Sequence, residues 1–92
     1  MNDNKPAWQI VVRRKAKRVL TRLPSTLQTR MTKAIDELAY DPRPAHSKQL
    51  KGTKDLYRIR VGSWRVVYTI KDDQLLILII TIAPRGQVYK HV

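Results

Sequence analysis

Leu56-Tyr57-Arg58-Ile59-Arg60-Val61, Gly62-Ser63, then Trp64-Arg65-Val66-Val67-Tyr68-Thr69-Ile70 decides the fold. Residues alternate across a strand with period two. Arg58 and Arg60 therefore share one face, and Tyr57, Ile59 and Val61 share the other. Gly62-Ser63 reads as a turn, and Trp64 to Ile70 as the next strand. Lys71-Asp72-Asp73-Gln74 is a tight turn. Leu75 to Ile82 is almost wholly apolar, the mark of a central strand covered on both faces. Pro84-Arg85-Gly86 breaks it, and Gln87 to His91 adds a short final strand or tail. Charged groups fill a pleated, half-buried surface poorly, so arginines on strands are seldom there for stability. Fixed cations on rigid strands do, however, hold and polarise a phosphate well.

Upstream, Trp8 to Val12 reads as a first strand. Val12, Ala16, Val19, Leu20 and Leu23 then fall at helical spacing, which gives an apolar stripe on an otherwise basic helix. Pro24-Ser25 interrupts it, with Ser25 suited to an N-cap. Leu27, Met31, Ala34, Ile35 and Leu38 form the buried stripe of a second helix. That helix stops near Tyr40, because Asp41-Pro42-Arg43-Pro44 disfavours helical geometry. Ala45 to Asp55 is a basic connector. The fold class is α+β: an N-terminal strand and an antiparallel helical hairpin packed on one face of a mostly antiparallel sheet. The other sheet face has no helix to cover it, and there Arg58, Arg60 and Arg65 should gather, with Arg85 and Tyr89 converging from beyond the central strand.

The chain has 92 residues, enough for one small domain over 1–92, with 1–6 expected to be flexible. Its hydrophobic fraction of 42% is ordinary, but 19 Lys and Arg stand against 7 Asp and Glu, a net charge of +12. So basic a chain seeks an anionic partner: nucleic acid, an acidic protein or an anionic membrane surface. The membrane is the weakest of the three, since Leu75 to Ile80 is far short of the roughly 20 apolar residues that span a bilayer. The N-terminus has no apolar signal region, and the cytoplasm is the simplest location. Without cysteine there are neither disulfides nor thiolate metal sites, and two histidines with few acids make no metal site, so no cofactor is expected. Arg13, Arg14, Lys15, Lys17 and Arg18 on the first helix, with Lys48, Lys51 and Lys54 in the connector, read as a phosphate grip without sequence specificity.

The order of these motifs carries a resemblance. A helix pair, Leu50-Lys51-Gly52, Leu56 to Arg60, Trp64 to Tyr68, an aliphatic strand and Pro84-Arg85-Gly86-Gln87-Val88-Tyr89 together resemble the RelE/ParE superfamily of toxins from bacterial and archaeal toxin–antitoxin systems, over nearly the whole chain from Trp8 onward. Within it the chain looks more like the RelE branch. The resemblance implies a metal-independent endoribonuclease that cleaves mRNA in the ribosomal A site and is silenced by an acidic antitoxin protein. It implies that Arg58 and Arg60 stand where the best-known members have lysines. Arg65 then contacts the scissile phosphate, Arg85 protonates the leaving oxygen, and Tyr89 stacks on or orients a base.

RNA cleavage by transesterification requires deprotonation of the 2′-OH, stabilisation of the phosphorane and protonation of the departing 5′-oxygen. Guanidinium forks suit the second task. Arg60 departs from the family pattern at the first, because the lysine there is the proposed general base and arginine keeps its proton. Lys48, Lys51, Lys54, His46 and His91 are the other groups available. Two other functions compete: a ParE-like toxin that poisons DNA gyrase without cutting RNA, and a plain basic RNA-binding module.

Overall fold

The computed structural model describes residues 7–53 and 55–85. The first strand, β1, is Gln9–Val12. Helices α1 (Arg14–Arg22) and α2 (Ser25–Glu37) follow, joined by Leu23 and Pro24 alone. The remaining strands are β2 (Lys48–Gln49), β3 (Leu56–Val61), β4 (Trp64–Lys71) and β5 (Leu76–Pro84), in the sheet order β1-β5-β4-β3-β2. β1 pairs with β5 in parallel, and every other pairing is antiparallel. A parallel pair needs a crossover, and the α1–α2 unit with the following strands provides it.

Both apolar helical stripes bury as their spacing predicts. Ala16 and Leu23 of the first stripe, and Met31, Ile35 and Leu38 of the second, join Ile59, Val61, Val66, Tyr68, Ile70, Ile77, Ile79 and Ile82 in one core. These sheet residues all project from the helix-covered face, as the β3–β4 register requires: Ile59 lies opposite Val66, and Tyr57 opposite Tyr68. Trp8 and Trp64 are partly buried against the same core. A Gly62 φ of +61° closes the β3–β4 turn, a left-handed conformation that costs glycine little.

Four local expectations need correction. Ser25 is not the cap of α2. Pro24 holds that position with extended backbone, Ser25 is the first helical residue, and its carbonyl accepts from Thr29 Oγ1 at 3.0 Å. The fixed φ of Pro24 already turns the chain into the helix, so no side-chain cap forms. The tight turn expected at 71–74 forms as a short 3₁₀ segment, but Leu75 closes it with a φ of 50°, so the last strand begins at Leu76 and not at Leu75. β5 is flanked on both edges but covered on one face: Ile77, Ile79 and Ile82 are buried, while Leu76, Leu78 and Ile80 are half-exposed. Its long apolar run reflects a bulge between Val67 and Tyr68, which puts Ile80 out of alternation. Finally, the connector 45–55 holds a two-residue strand, β2, hydrogen-bonded to β3.

A strap crosses the β3–β4 end of the sheet. Tyr68, fully buried, donates its hydroxyl to the Pro42 carbonyl at 2.8 Å and stacks on Tyr57 with ring centroids 5.9 Å apart. Arg43 lies 5.3 Å over the Tyr57 ring, donates to its hydroxyl, and pairs with Asp72 at 3.0 Å. The segment after α2 is thereby tied to the sheet just before β2. Burial pushes the Tyr68 hydroxyl up to about 12, and a hydrogen bond with Ser47 offsets only part of that. An unfolded tyrosine titrates near 10. The folded state therefore holds this proton longer, a contribution fully present below about pH 10 and lost as pH rises towards about 12. Denaturant midpoints are expected to fall across that window, and the fall is expected to shrink in Tyr68→Phe.

Candidate functional site

Strand register assembles the cations that lie far apart in sequence. Arg60 lies directly opposite Arg65. One row along, Arg58 sits between Val67 of β4 and Lys48 of β2. Residues opposite one another share a face, so Lys48, Arg58, Arg60 and Arg65 form a block of two adjacent rows on the sheet face away from the helices. Arg65 also opposes Ala83 of β5, and Arg85 follows two residues later, its backbone N–H bonded to the Ser63 carbonyl at 2.9 Å. The expected meeting of Arg58, Arg60 and Arg65 on the uncovered face is therefore what the fold produces. Arg85 is brought to the end of the same rows and is exposed.

Burial is the property that alternation did not reveal. Arg58 and Arg65 are each only 6% exposed, although no helix among the described residues covers this face. Val67, opposite Arg58, and Ala83, opposite Arg65, are also buried, and Leu50 and Leu56 pack against them as a small second core on this face. Neither guanidinium makes a side-chain hydrogen bond or ion pair among the described residues. Burying a charge without a partner is expensive. A solvated strand edge that merely blocks aggregation would leave such arginines in water. Two buried arginines in adjacent rows, unpartnered among the described residues, have the chemistry to suit an anion with several oxygens. Arg60 is more exposed and has an interaction of its own.

Lys48 is the member of this block that periodicity missed. Sequence alone groups it with Lys51 and Lys54 as a connector cation. The hydrogen bond from Leu50 N–H to the Leu56 carbonyl, at 2.8 Å, and the pairing with Arg58 instead place it on the sheet. Two residues are too few to show a strand period, so no local signal could have found it.

The basic run on α1 divides. Arg13, Arg14 and Lys15 line a cleft of about 650 Å³ together with Trp64 and the end of β5 from Ile80 to Pro84. β1 stops at Val12, the Arg13 N–H makes the last bond to Ile79, and the chain turns away, which opens this cleft. Lys17 and Arg18 are exposed and do not line it. Lys51 is exposed in the connector. Tyr89 and Lys54, like Gln87 to His91 as a final strand, lie outside the described residues. Among the described residues no cluster of three His, Cys, Asp or Glu is placed to hold a metal ion, and no helix is long and apolar enough to cross a membrane.

Comparison with known proteins bears directly on this arrangement. Residues 10–89 match the family described as the ParE toxin of the type II toxin–antitoxin system, parDE. The chain belongs to the ParE/RelE toxin family. A putative toxin RelE1 of Methanocaldococcus jannaschii is 29% identical over 87 residues, spanning 91% of this chain and 97% of that protein. The RelE toxin in the archaeal RelE–RelB complex of Pyrococcus horikoshii superposes with a TM-score of 0.78 at 30% identity, covering 89% of this chain and 99% of that one. The isolated Escherichia coli RelE toxin superposes with a TM-score of 0.76 at 25% identity, over 92% of this chain and 94% of its own. The fold is thus that of the RelE toxins: two helices on a five-stranded, mostly antiparallel sheet. The chain is a toxin of a type II toxin–antitoxin system.

Proposed function

We propose that this toxin is a metal-independent endoribonuclease that cuts mRNA in the ribosomal A site and so stops translation. The observation that carries the reading is the pair of buried arginines, Arg58 and Arg65, held without partners among the described residues on the open sheet face. They suit the two non-bridging oxygens of a scissile phosphodiester, whose charge grows in the phosphorane. Arg60, opposite Arg65, adds a third fork. Holding the 2′-OH in line with the departing 5′-oxygen supplies a further large part of the rate. Arg85 is assigned to the leaving oxygen and Tyr89 to the substrate base. Arg13, Arg14 and Lys15, with Lys17, Arg18, Lys51 and Lys54, would grip rRNA phosphates, giving affinity without sequence reading. The work is done in the cytoplasm, on translating ribosomes.

The partner that silences it is an acidic antitoxin protein. The relatives of Pyrococcus horikoshii and Escherichia coli were solved as RelE–RelB and RelBE complexes. The +12 charge gives the physical motive, because an acidic chain that folds as it binds would neutralise the cluster.

A second reading keeps its place because the matched family is described by the ParE toxin and because Arg60 stands at the lysine position. In it the chain poisons DNA gyrase and cuts nothing. Primer extension on translated mRNA separates the two. Wild type is expected to give cuts within codons, and the Arg65→Ala, Arg85→Ala double variant is expected to give none. Equal products from both, with loss of supercoiling by purified gyrase, would replace the nuclease reading with the gyrase one.

A further inference from the structure

We propose that Lys48 is the group that takes the 2′-OH proton in this toxin. The inference rests on the nuclease reading above. Its basis is the composition of the cation block: Arg58, Arg60 and Arg65 are guanidiniums, and Lys48 is the amine that register adds to them. A guanidinium keeps its proton in proteins, whereas an amine can exchange one. Three members of the block can therefore stabilise charge, and one can also accept a proton.

Position agrees with chemistry. Directly opposed residues in an antiparallel pair have Cβ atoms about 4.5–5.5 Å apart. Lys48 stands in that relation to Arg58, one of the two buried forks. A phosphodiester bound between Arg58 and Arg65 therefore lies within reach of the Lys48 stem. The charged group facing Lys48 from β3 is Arg58, with Arg60 on the diagonal. Along its own segment His46 and Lys51 are the nearest ionisable residues, and both are exposed. Unlike the two buried forks, Lys48 is exposed, so it can return its proton to water after each turnover. The strap of Arg43, Asp72 and Tyr68 ties down the chain just ahead of β2 and so fixes where the amine stands.

The step balances without any added reactant. Neutral Lys48 Nζ accepts the 2′-OH proton, the 2′-oxygen forms a bond to phosphorus, and the bond from phosphorus to the 5′-oxygen breaks. The products are a 2′,3′-cyclic phosphate and a 5′-hydroxyl. The departing oxygen, its charge stabilised by Arg85, takes a proton from water, and Lys48 loses its own to solvent.

The test is single-turnover cleavage of mRNA on saturating programmed ribosomes, measured from about pH 6 to about 9. Wild type, Lys48→Arg, Lys48→Ala and Arg65→Ala are compared. Lys48→Arg keeps the charge but is expected to lose about 100-fold in rate, with the rise of rate with pH abolished. Added ethylamine is expected to restore part of the rate to Lys48→Ala. The thermal midpoint is expected to stay at the wild-type value in both lysine variants, since the residue is exposed, and ribosome binding is expected to stay so in Lys48→Arg, which keeps the charge. Wild-type rate and pH profile in Lys48→Arg would overturn the proposal, as would a loss confined to ribosome affinity, which would make Lys48 an rRNA contact. If wild type cuts no faster than Arg65→Ala, the nuclease reading itself fails. If Arg65→Ala is inactive while Lys48→Arg is not, only the assignment of Lys48 fails.

Discussion

Arg65→Met is expected to give a protein that unfolds at a higher temperature than wild type and cuts mRNA at least about 100-fold more slowly. Both effects have one cause. Arg65 is 6% exposed and has no hydrogen-bonding or ionic side-chain partner among the described residues. Folding has to strip it of water with nothing to compensate, and this costs stability. Methionine fills a similar volume beside Val67 and Ala83 without that charge. Replacing buried ions with apolar residues is often neutral or stabilising by about 1–4 kcal/mol. For a domain of this size, about 1 kcal/mol moves the midpoint by roughly 4–8 °C. The same fork is the one that would meet the phosphorane, and removing one preorganised donor commonly costs about 10²–10³ in rate. Arg58→Met is expected to behave alike. Calorimetry with the primer-extension assay checks both halves. An Arg65→Met protein that is less stable than wild type, or still cuts at full rate, would mean that the guanidinium serves the fold and not an anion.

Tyr68→Ala is expected to produce the largest loss of stability among single substitutions on this sheet, about 3–5 kcal/mol. Tyr68 is fully buried. Its ring stacks on Tyr57, and its hydroxyl holds the Pro42 carbonyl at 2.8 Å. Truncation removes the ring, leaves a cavity and strands a carbonyl on the strap. Domains of this kind are commonly stable by only about 5–15 kcal/mol, so the variant should be largely unfolded in mild denaturant. Tyr68→Phe isolates the hydroxyl, and about 1 kcal/mol is expected from that bond alone. Urea unfolding at neutral pH separates the two contributions. Equal losses in Tyr68→Phe and Tyr68→Ala would show that the ring contributes nothing beyond its hydroxyl.

The fold and the cation cluster were legible in sequence for different reasons. Strand period alone put Arg58 and Arg60 on one face and Ile59 and Val61 on the other, because a charge cannot sit among Val66 and Ile82. Helical spacing likewise put Ala16, Leu23, Met31, Ile35 and Leu38 in the core. Resemblance supplied the family, and the comparisons bear that out. The Arg43–Asp72 pair was not legible, since its partners are brought together only when the segment after α2 crosses the sheet.

Local patterning, then, determined which residues face the helices and which carry charge, because burial of apolar surface and the chain's own period act within each element. Tertiary structure alone decided which distant charges became neighbours. The β3–β4 register set Arg60 against Arg65, and a two-residue strand set Lys48 against Arg58. It also decided that Arg58 and Arg65 lie buried on a face that no described helix covers, in the rows that carry the buried Val67 and Ala83. Register and burial arise from contacts between elements far apart along the chain, and no window of sequence contains both sides of such a contact.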